Sequence, residues 1–183
     1  MEKKFIFAGF GGQGIMMMGQ LLSQAAVLQG LEVAYTQSYG SEIRGGTAKC
    51  AVVVSDEKIG SPIVGQADGC VVMNLPSFNA FTPIVRPKGI LVINSSLVNK
   101  KLERNNIRAF EVPATDIANQ LGNSRGANLV ALGTFIEATH IIEPKSVRKA
   151  LKLVLPPHRL DTFPLNSKSF EAGRNWVLKA AKK

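Results

Sequence analysis

The chain has 183 residues, 45% of them hydrophobic and 19% charged, with a formal net charge of +9. That length supports one domain with a substantial core, and that composition excludes a disordered chain. No apolar run approaches the roughly 20 residues of a membrane helix, and the short charged start does not read as a signal peptide, so a cytoplasmic protein off the membrane is expected.

Met1–Phe10 reads as a strand around the apolar run Phe5–Ala8. Gly9-Phe10-Gly11-Gly12-Gln13-Gly14 follows it, and Gln13–Gln29 reads as a helix, with Ile15, Met18, Leu21, Leu22, Ala25 and Ala26 at helical spacing. Gly30 ends that helix, and Leu31–Thr36 reads as a second strand. Lys49–Val54 is a third strand, stopped by Ser55-Asp56. About ten residues, Gln37–Gly46, join the second and third, too few for the helical crossover of a parallel pair. This part of the sheet is therefore expected to be antiparallel or irregular.

Gly69–Met73, Gly89–Ile93 and Ile107–Val112 read as three further strands. Helices fit Ser77–Val85, Thr115–Leu121, Ala127–His140, Pro144–Leu155 and Ser167–Lys182. The helix opened by Arg125-Gly126-Ala127-Asn128 is apolar nearly all round, so burial in the fold or in an interface is expected, with Asn128 toward a ligand crevice or a neighbouring subunit. Leu155–Ser167 holds three prolines and reads as an extended arm leading to the last helix. The predicted fold is α/β: a single Rossmann-like domain over residues 1–183, with a mixed, mostly parallel sheet, helices on both faces, and 155–183 as a C-terminal arm and helix.

The glycine turn lies between a strand and a helix whose first amides are free and whose dipole is positive there, a combination that favours phosphate or carboxylate. It fits G-x-G-x-x-G through Gly9, Gly11 and Gly14. An acid to hold a ribose should end the second strand, but Gln37 and Ser38 stand there, which disfavours a nicotinamide site. The plainer alternative is a packing turn without ligand.

Ser38 to Thr47 forms a second feature, with Tyr39, Glu42, Arg44, Gly45 and Gly46. Arg44 suits a carboxylate or phosphate, or pairs with Glu42 in an ordinary surface turn. Asn74 and Asn94 follow the fourth and fifth strands at their carboxyl ends, where such sheets place ligands, and both are also good helix caps.

Cys50 and Cys70 read as buried thiols, cannot supply the four thiolates of an iron–sulfur cluster, and no metal-ligand spacing surrounds His140 or His158. From Pro144 onward ten Lys or Arg face two acidic residues. Lys145, Arg148, Lys149 and Lys152 share one helical face, which is either merely solvated or a docking surface for an acidic partner or phosphorylated ligand. No aromatic residues interleave with this charge, so nucleic acid is not expected.

Taken together, Gly9-Phe10-Gly11-Gly12-Gln13-Gly14 and Ser38-Tyr39-Gly40-Ser41-Glu42-Ile43-Arg44-Gly45-Gly46-Thr47-Ala48 resemble the gamma subunit of 2-oxoacid:ferredoxin oxidoreductases. Ser55-Asp56, Ile59-Gly60-Ser61-Pro62, Ala67-Asp68, Asn74-x-Pro76-Ser77 and Gly89-x-x-x-x-Asn94-Ser95-Ser96 continue the likeness in order, over about residues 5–140. Ser41 departs from it, standing where proline is common. The second loop is most similar to the 2-oxoglutarate branch, beside pyruvate and branched-chain branches.

The resemblance implies one subunit of a heteromeric oxidoreductase that converts a 2-oxoacid, coenzyme A and oxidised ferredoxin to acyl-CoA, carbon dioxide and reduced ferredoxin. It implies alpha, beta and ferredoxin-like delta partner subunits, with thiamine diphosphate and [4Fe–4S] clusters held by those partners. In this chain it implies coenzyme A contacts from Gly11, Gly12, Gln13, Gly14, Tyr39, Glu42, Arg44, Gly45, Gly46, Asn74 and Asn94, and no catalytic or metal-binding residue. A stand-alone nucleotide-binding oxidoreductase and a purely structural partner subunit are the competing readings.

Overall fold

A computed structural model describes residues 1–40 and 46–180. Its strands are β1 (Glu2–Phe10), β2 (Glu32–Tyr39), β3 (Thr47–Ser55), β4 (Ala67–Val72), β5 (Val85–Asn94) and β6 (Arg108–Val112). Its helices are α1 (Ile15–Val27), α2 (Leu75–Phe81), α3 (Ala114–Gln120), α4 (Ala127–Thr139), α5 (Pro144–Val154) and α6 (Phe163–Ala180).

One sheet takes all six strands in the order β2-β3-β1-β4-β5-β6. β1, β4, β5 and β6 pair in parallel, while β3 runs antiparallel to both β1 and β2. The short β2–β3 connection forces that reversal. The central strands β1, β4 and β5 carry unbroken apolar runs such as Cys70-Val71-Val72 and Leu91-Val92-Ile93, as strands covered on both faces must.

Alternation along these strands separates two cores. Phe5, Phe7, Cys50, Val52, Val71, Val92 and Val112 face a layer built from α1, α3, α4 and α5, with Phe170 of α6 behind. The Phe5 and Phe7 rings meet Phe135 of α4 edge-on, with centroids 5.1 and 5.3 Å away. Ile6, Ala8, Cys70, Val72, Leu91 and Ile93 face the other way, onto Phe78 of α2 and the connecting segments at Val64, Val98 and Ile107. Helices cover both faces, as expected, but unevenly: α2 is alone on the second.

Two expectations need correction. The segment after α5 is not extended: Pro157–Thr162 forms a 3₁₀ turn and α6 begins at Phe163. Pro164 falls in the first turn of α6, where a missing N–H costs nothing, so it starts a helix rather than preventing one. The helix expected from Ser77 begins two residues earlier and closes through a 3₁₀ turn at Thr82–Ile84.

α4 is buried on nearly every side, from Asn128 through Ile136. It crosses α6 where Gly133 and Gly173 meet: a Cβ on Gly133 would lie 2.0 Å from the Phe170 carbonyl oxygen, and one on Gly173 1.9 Å from that of Val130. The Thr134 hydroxyl closes the crossing, within 3.1 Å of the Val130 and Gly173 carbonyl oxygens.

Candidate anion-binding site

At the carboxyl end of β1 the chain turns into α1 through three glycines that serve different purposes. Gly12 and Gly14 both have left-handed φ, +95° and +73°. A Cβ on Gly14 would sit 2.3 Å from Asn128 Nδ2, so this residue lets α4 approach the loop. Gly9 is similarly hemmed in by Gln13 and Ile15, each 2.6 Å from a would-be Cβ. A Cβ on Gly12 would meet nothing within 4 Å among the described residues. The turn is thus packed from behind and open at Gly12.

Gln13 makes the turn rigid. Its Oε1 accepts the Phe10 N–H at 2.7 Å and the Asn74 Nδ2 at 3.2 Å. Asn74, 4% exposed, in turn accepts the Ser77 N–H at 2.9 Å through Oδ1 and caps α2. The β1–α1 and β4–α2 turns are therefore joined through two side-chain amides.

The loop's own amides divide into two groups. Gly11 N–H donates to the Gly46 carbonyl at 2.9 Å, and Gln13 N–H to that of Phe10 at 3.1 Å. Those two, expected as ligand donors, are spent on the fold. The amides of Gly12, Gly14 and Ile15 have no acceptor among the described residues. No described side chain caps α1 and no acid occupies its first turn, so among the described residues nothing compensates the positive end of its dipole.

The other expected site residues fall in three places. Tyr39, 45% exposed, ends β2 beside a cavity of about 250 Å³ that also takes in Gly40, Lys49, Ser77 and Phe81. Gly46 holds Gly11 in place, which links the second loop to the first. Glu42, Arg44 and Gly45 lie outside the described residues. Asn94, fully buried, spends its whole side-chain amide on the chain: Nδ2 donates to Met73 O and Thr115 Oγ1, and Oδ1 accepts from Ala114 and Thr115 N–H. It caps α3 and positions the β4 and β5 ends, and offers no free atom to a ligand.

Asn128 comes to the crevice side. Its Nδ2 donates to Gly14 O at 3.2 Å, while its Oδ1 is buried with no partner among the described residues. Sequence spacing gives no sign of this contact, which joins residues 114 positions apart.

A nucleotide fold of the ordinary dinucleotide type is ruled out by topology as well as by the missing acid. There β2 lies next to β1; here β3 is inserted between them. The end of β2 thus lies two strand spacings from β1, about 10 Å, in place of one.

Cys50 and Cys70 do not fit an iron–sulfur cluster, because they sit on opposite faces of the sheet in separate cores. Burial pushes both thiols up to about 12, so both stay protonated at neutral pH. Burial likewise pushes the Tyr35 hydroxyl above its ordinary value. Among the described residues no three His, Cys, Asp or Glu side chains gather as a metal site would need. No helix is long and apolar enough to cross a membrane among these residues. What the site can do is hold a negatively charged group on main-chain amides; among the described residues no acid–base pair accompanies it.

A family model described as pyruvate ferredoxin/flavodoxin oxidoreductase matches residues 4–176. 2-Oxoglutarate synthase subunit KorC of Methanothermobacter marburgensis is 35% identical over 189 residues, covering 100% of both chains. Ketoisovalerate oxidoreductase subunit VorA of the same organism is 36% identical over 97% of this chain, which spans only 37% of VorA's length. Among solved structures, the gamma subunit of a keto/oxoacid ferredoxin oxidoreductase from Geobacter sulfurreducens superposes with a TM-score of 0.82 at 28% identity, over 97% of this chain and 99% of that one. The 2-oxoglutarate:ferredoxin oxidoreductase from Magnetococcus marinus, solved with 2-oxoglutarate, coenzyme A and succinyl-CoA, shares the fold at a TM-score of 0.88 and 23% identity, over 97% of this chain and 31% of that one.

Proposed function

The chain belongs to the pyruvate ferredoxin/flavodoxin oxidoreductase family, and from that premise we propose that it is the gamma subunit of a cytoplasmic, multi-subunit 2-oxoacid:ferredoxin oxidoreductase of the 2-oxoglutarate type. The 35% identity to KorC along this chain supports the branch. In this reading the assembled enzyme converts the oxoacid, coenzyme A and oxidised ferredoxin to acyl-CoA, carbon dioxide and reduced ferredoxin. Alpha, beta and ferredoxin-like delta subunits complete it. Thiamine diphosphate and the [4Fe–4S] clusters reside in those partners, in keeping with two buried cysteines that face apart. The isolated chain is inactive.

Within that enzyme this chain helps hold coenzyme A. The observation that carries this is the glycine turn: the amides of Gly12, Gly14 and Ile15, without an acceptor among the described residues, stand at a helix start that no described side chain caps, a setting suited to a diphosphate. Tyr39, Glu42, Arg44 and Gly45 of the second loop would add contacts to the coenzyme. Gly11, Gln13, Gly46, Asn74 and Asn94 act behind them, by fixing the turns.

Titrating the assembled complex with coenzyme A tests this. Gly12→Asp places a carboxylate beside the free amides and should weaken affinity about tenfold or more, one tenfold step being about 1.4 kcal/mol. Undiminished affinity sinks the site. Nucleotide-dependent turnover by the purified chain alone would instead favour a stand-alone oxidoreductase.

A further inference from the structure

α5 offers a surface that the coenzyme reading does not use. Its apolar side is anchored: Val147, Ala150 and Leu151 are buried in the core, and Gln29 Nε2 at the end of α1 donates to Ser146 Oγ at 2.9 Å. The opposite side carries Lys145, Arg148, Lys149 and Lys152, which wall a groove of about 400 Å³ shared with Glu171 and Arg174 of α6.

The charges in this groove do not cancel. Lys145 pairs with Glu143 at 2.6 Å, and Arg174 is spent on Glu137 at 2.9 Å and Glu171 at 2.8 Å. The Lys152 ammonium lies 4.9 Å from the Phe163 ring centroid, with no carboxylate in salt-bridge range. Arg148 and Lys149 also have no carboxylate within 4.0 Å among the described residues. Three cations on this helix thus have no carboxylate partner among the described residues.

We propose that this face of α5 docks a protein partner that presents a row of carboxylates. The row from Lys145 to Lys152 spans about 10 Å along the helix, longer than one phosphate group but matched to successive acidic side chains on a helix or loop. Glu143 and Glu171 at its rim would repel a uniformly charged polyanion such as nucleic acid, whereas a protein surface can place neutral residues opposite them. Leu153, 63% exposed, adjoins Lys149 one turn on and supplies the apolar contact that a protein interface uses. The inference stands on charge and exposure alone and does not depend on what the glycine turn binds.

Zero-length carbodiimide coupling of the natively assembled complex tests it, because that reagent joins an amine only to a carboxylate already in contact. Lys149 and Lys152 should couple to Asp or Glu of another chain. The yield should collapse in about 1 M salt, where the Debye length is about 3 Å. Arg148→Glu combined with Lys149→Glu should abolish the remaining coupling at Lys152 while the melting temperature stays unchanged. Coupling confined to Glu143 or Glu171 of the same chain would overturn the proposal. So would lysines that acetylate equally fast in the isolated and assembled chain, or protection of the row by a short single-stranded oligonucleotide in place of a protein.

Discussion

Two regions of this molecule require glycine for opposite reasons. At the crossing of α4 and α6, Gly133 and Gly173 are needed because there is no room: each would drive a Cβ to within 2.0 Å of a facing carbonyl oxygen. At the turn after β1, a Cβ on Gly12, whose φ is +95°, would meet no described residue within 4 Å. The first pair lets two helices touch through their backbones. The second position leaves backbone uncovered where no part of the described chain covers it. In the proposed reading, a glycine that no described residue presses upon, next to amides that no described residue accepts, belongs to a surface that takes a ligand, and the helix crossing shows what a packing glycine looks like in the same fold.

The comparison can be broken most forcefully at the crossing. Gly173→Ala should destabilise the protein by about 3 kcal/mol and lower its melting temperature by roughly 10 °C, because the methyl meets backbone that only a shift of the whole helix can relieve. Gly133→Ala should cost a similar amount. In both cases alanine's better helix propensity, about 1 kcal/mol, works against the loss and is overwhelmed. Calorimetric scanning decides it: an alanine variant as stable as the parent would mean that the helices are not in backbone contact.

Gly14 is intermediate, both strained and crowded. Gly14→Ala should cost roughly 2 kcal/mol, from a left-handed backbone and from displacing Asn128, whose hydrogen bond to Gly14 O is lost. Asn128→Ala removes most of the crowding, so the double variant should be more stable than the sum of the two single changes predicts. Denaturant melts of the four proteins give that coupling directly. Strict additivity would show that α4 does not brace the turn.

This contrast was only partly legible in the sequence. The ten-residue link from Gln37 to Gly46 suffices to read an antiparallel pair, because chain length forbids a crossover. The all-apolar run of α4 suffices to read burial. Neither says that α6 is its partner, since two glycines forty residues apart carry no local signal. The glycine turn was recognisable by its spacing and its place between strand and helix. Which of its amides are free was not, because the Gly11 N–H is claimed by Gly46, a residue brought there by β3 pairing. Asn94 reads as either ligand residue or cap until four tertiary contacts use up its amide. The prolines near residue 160 mislead because proline both breaks helices and begins them, and only the first-turn position of Pro164 separates the two.

The smallest change sharpens the comparison most. Gly12→Ala adds one methyl that touches no described atom within 4 Å, so its expected structural cost is that of the left-handed backbone, about 1 kcal/mol. Its melting temperature should fall by no more than a few degrees. If the turn exists to seat a diphosphate, that same methyl projects into the space the ligand enters, and coenzyme A affinity in the assembled complex should drop several-fold. Gly173→Ala should show the reverse, a large loss of stability with normal affinity in whatever fraction remains folded. Measured side by side, the two variants separate a glycine kept for the fold from one kept for the guest. Equal losses of stability and affinity in both would place Gly12 among the packing glycines and leave the turn without a ligand.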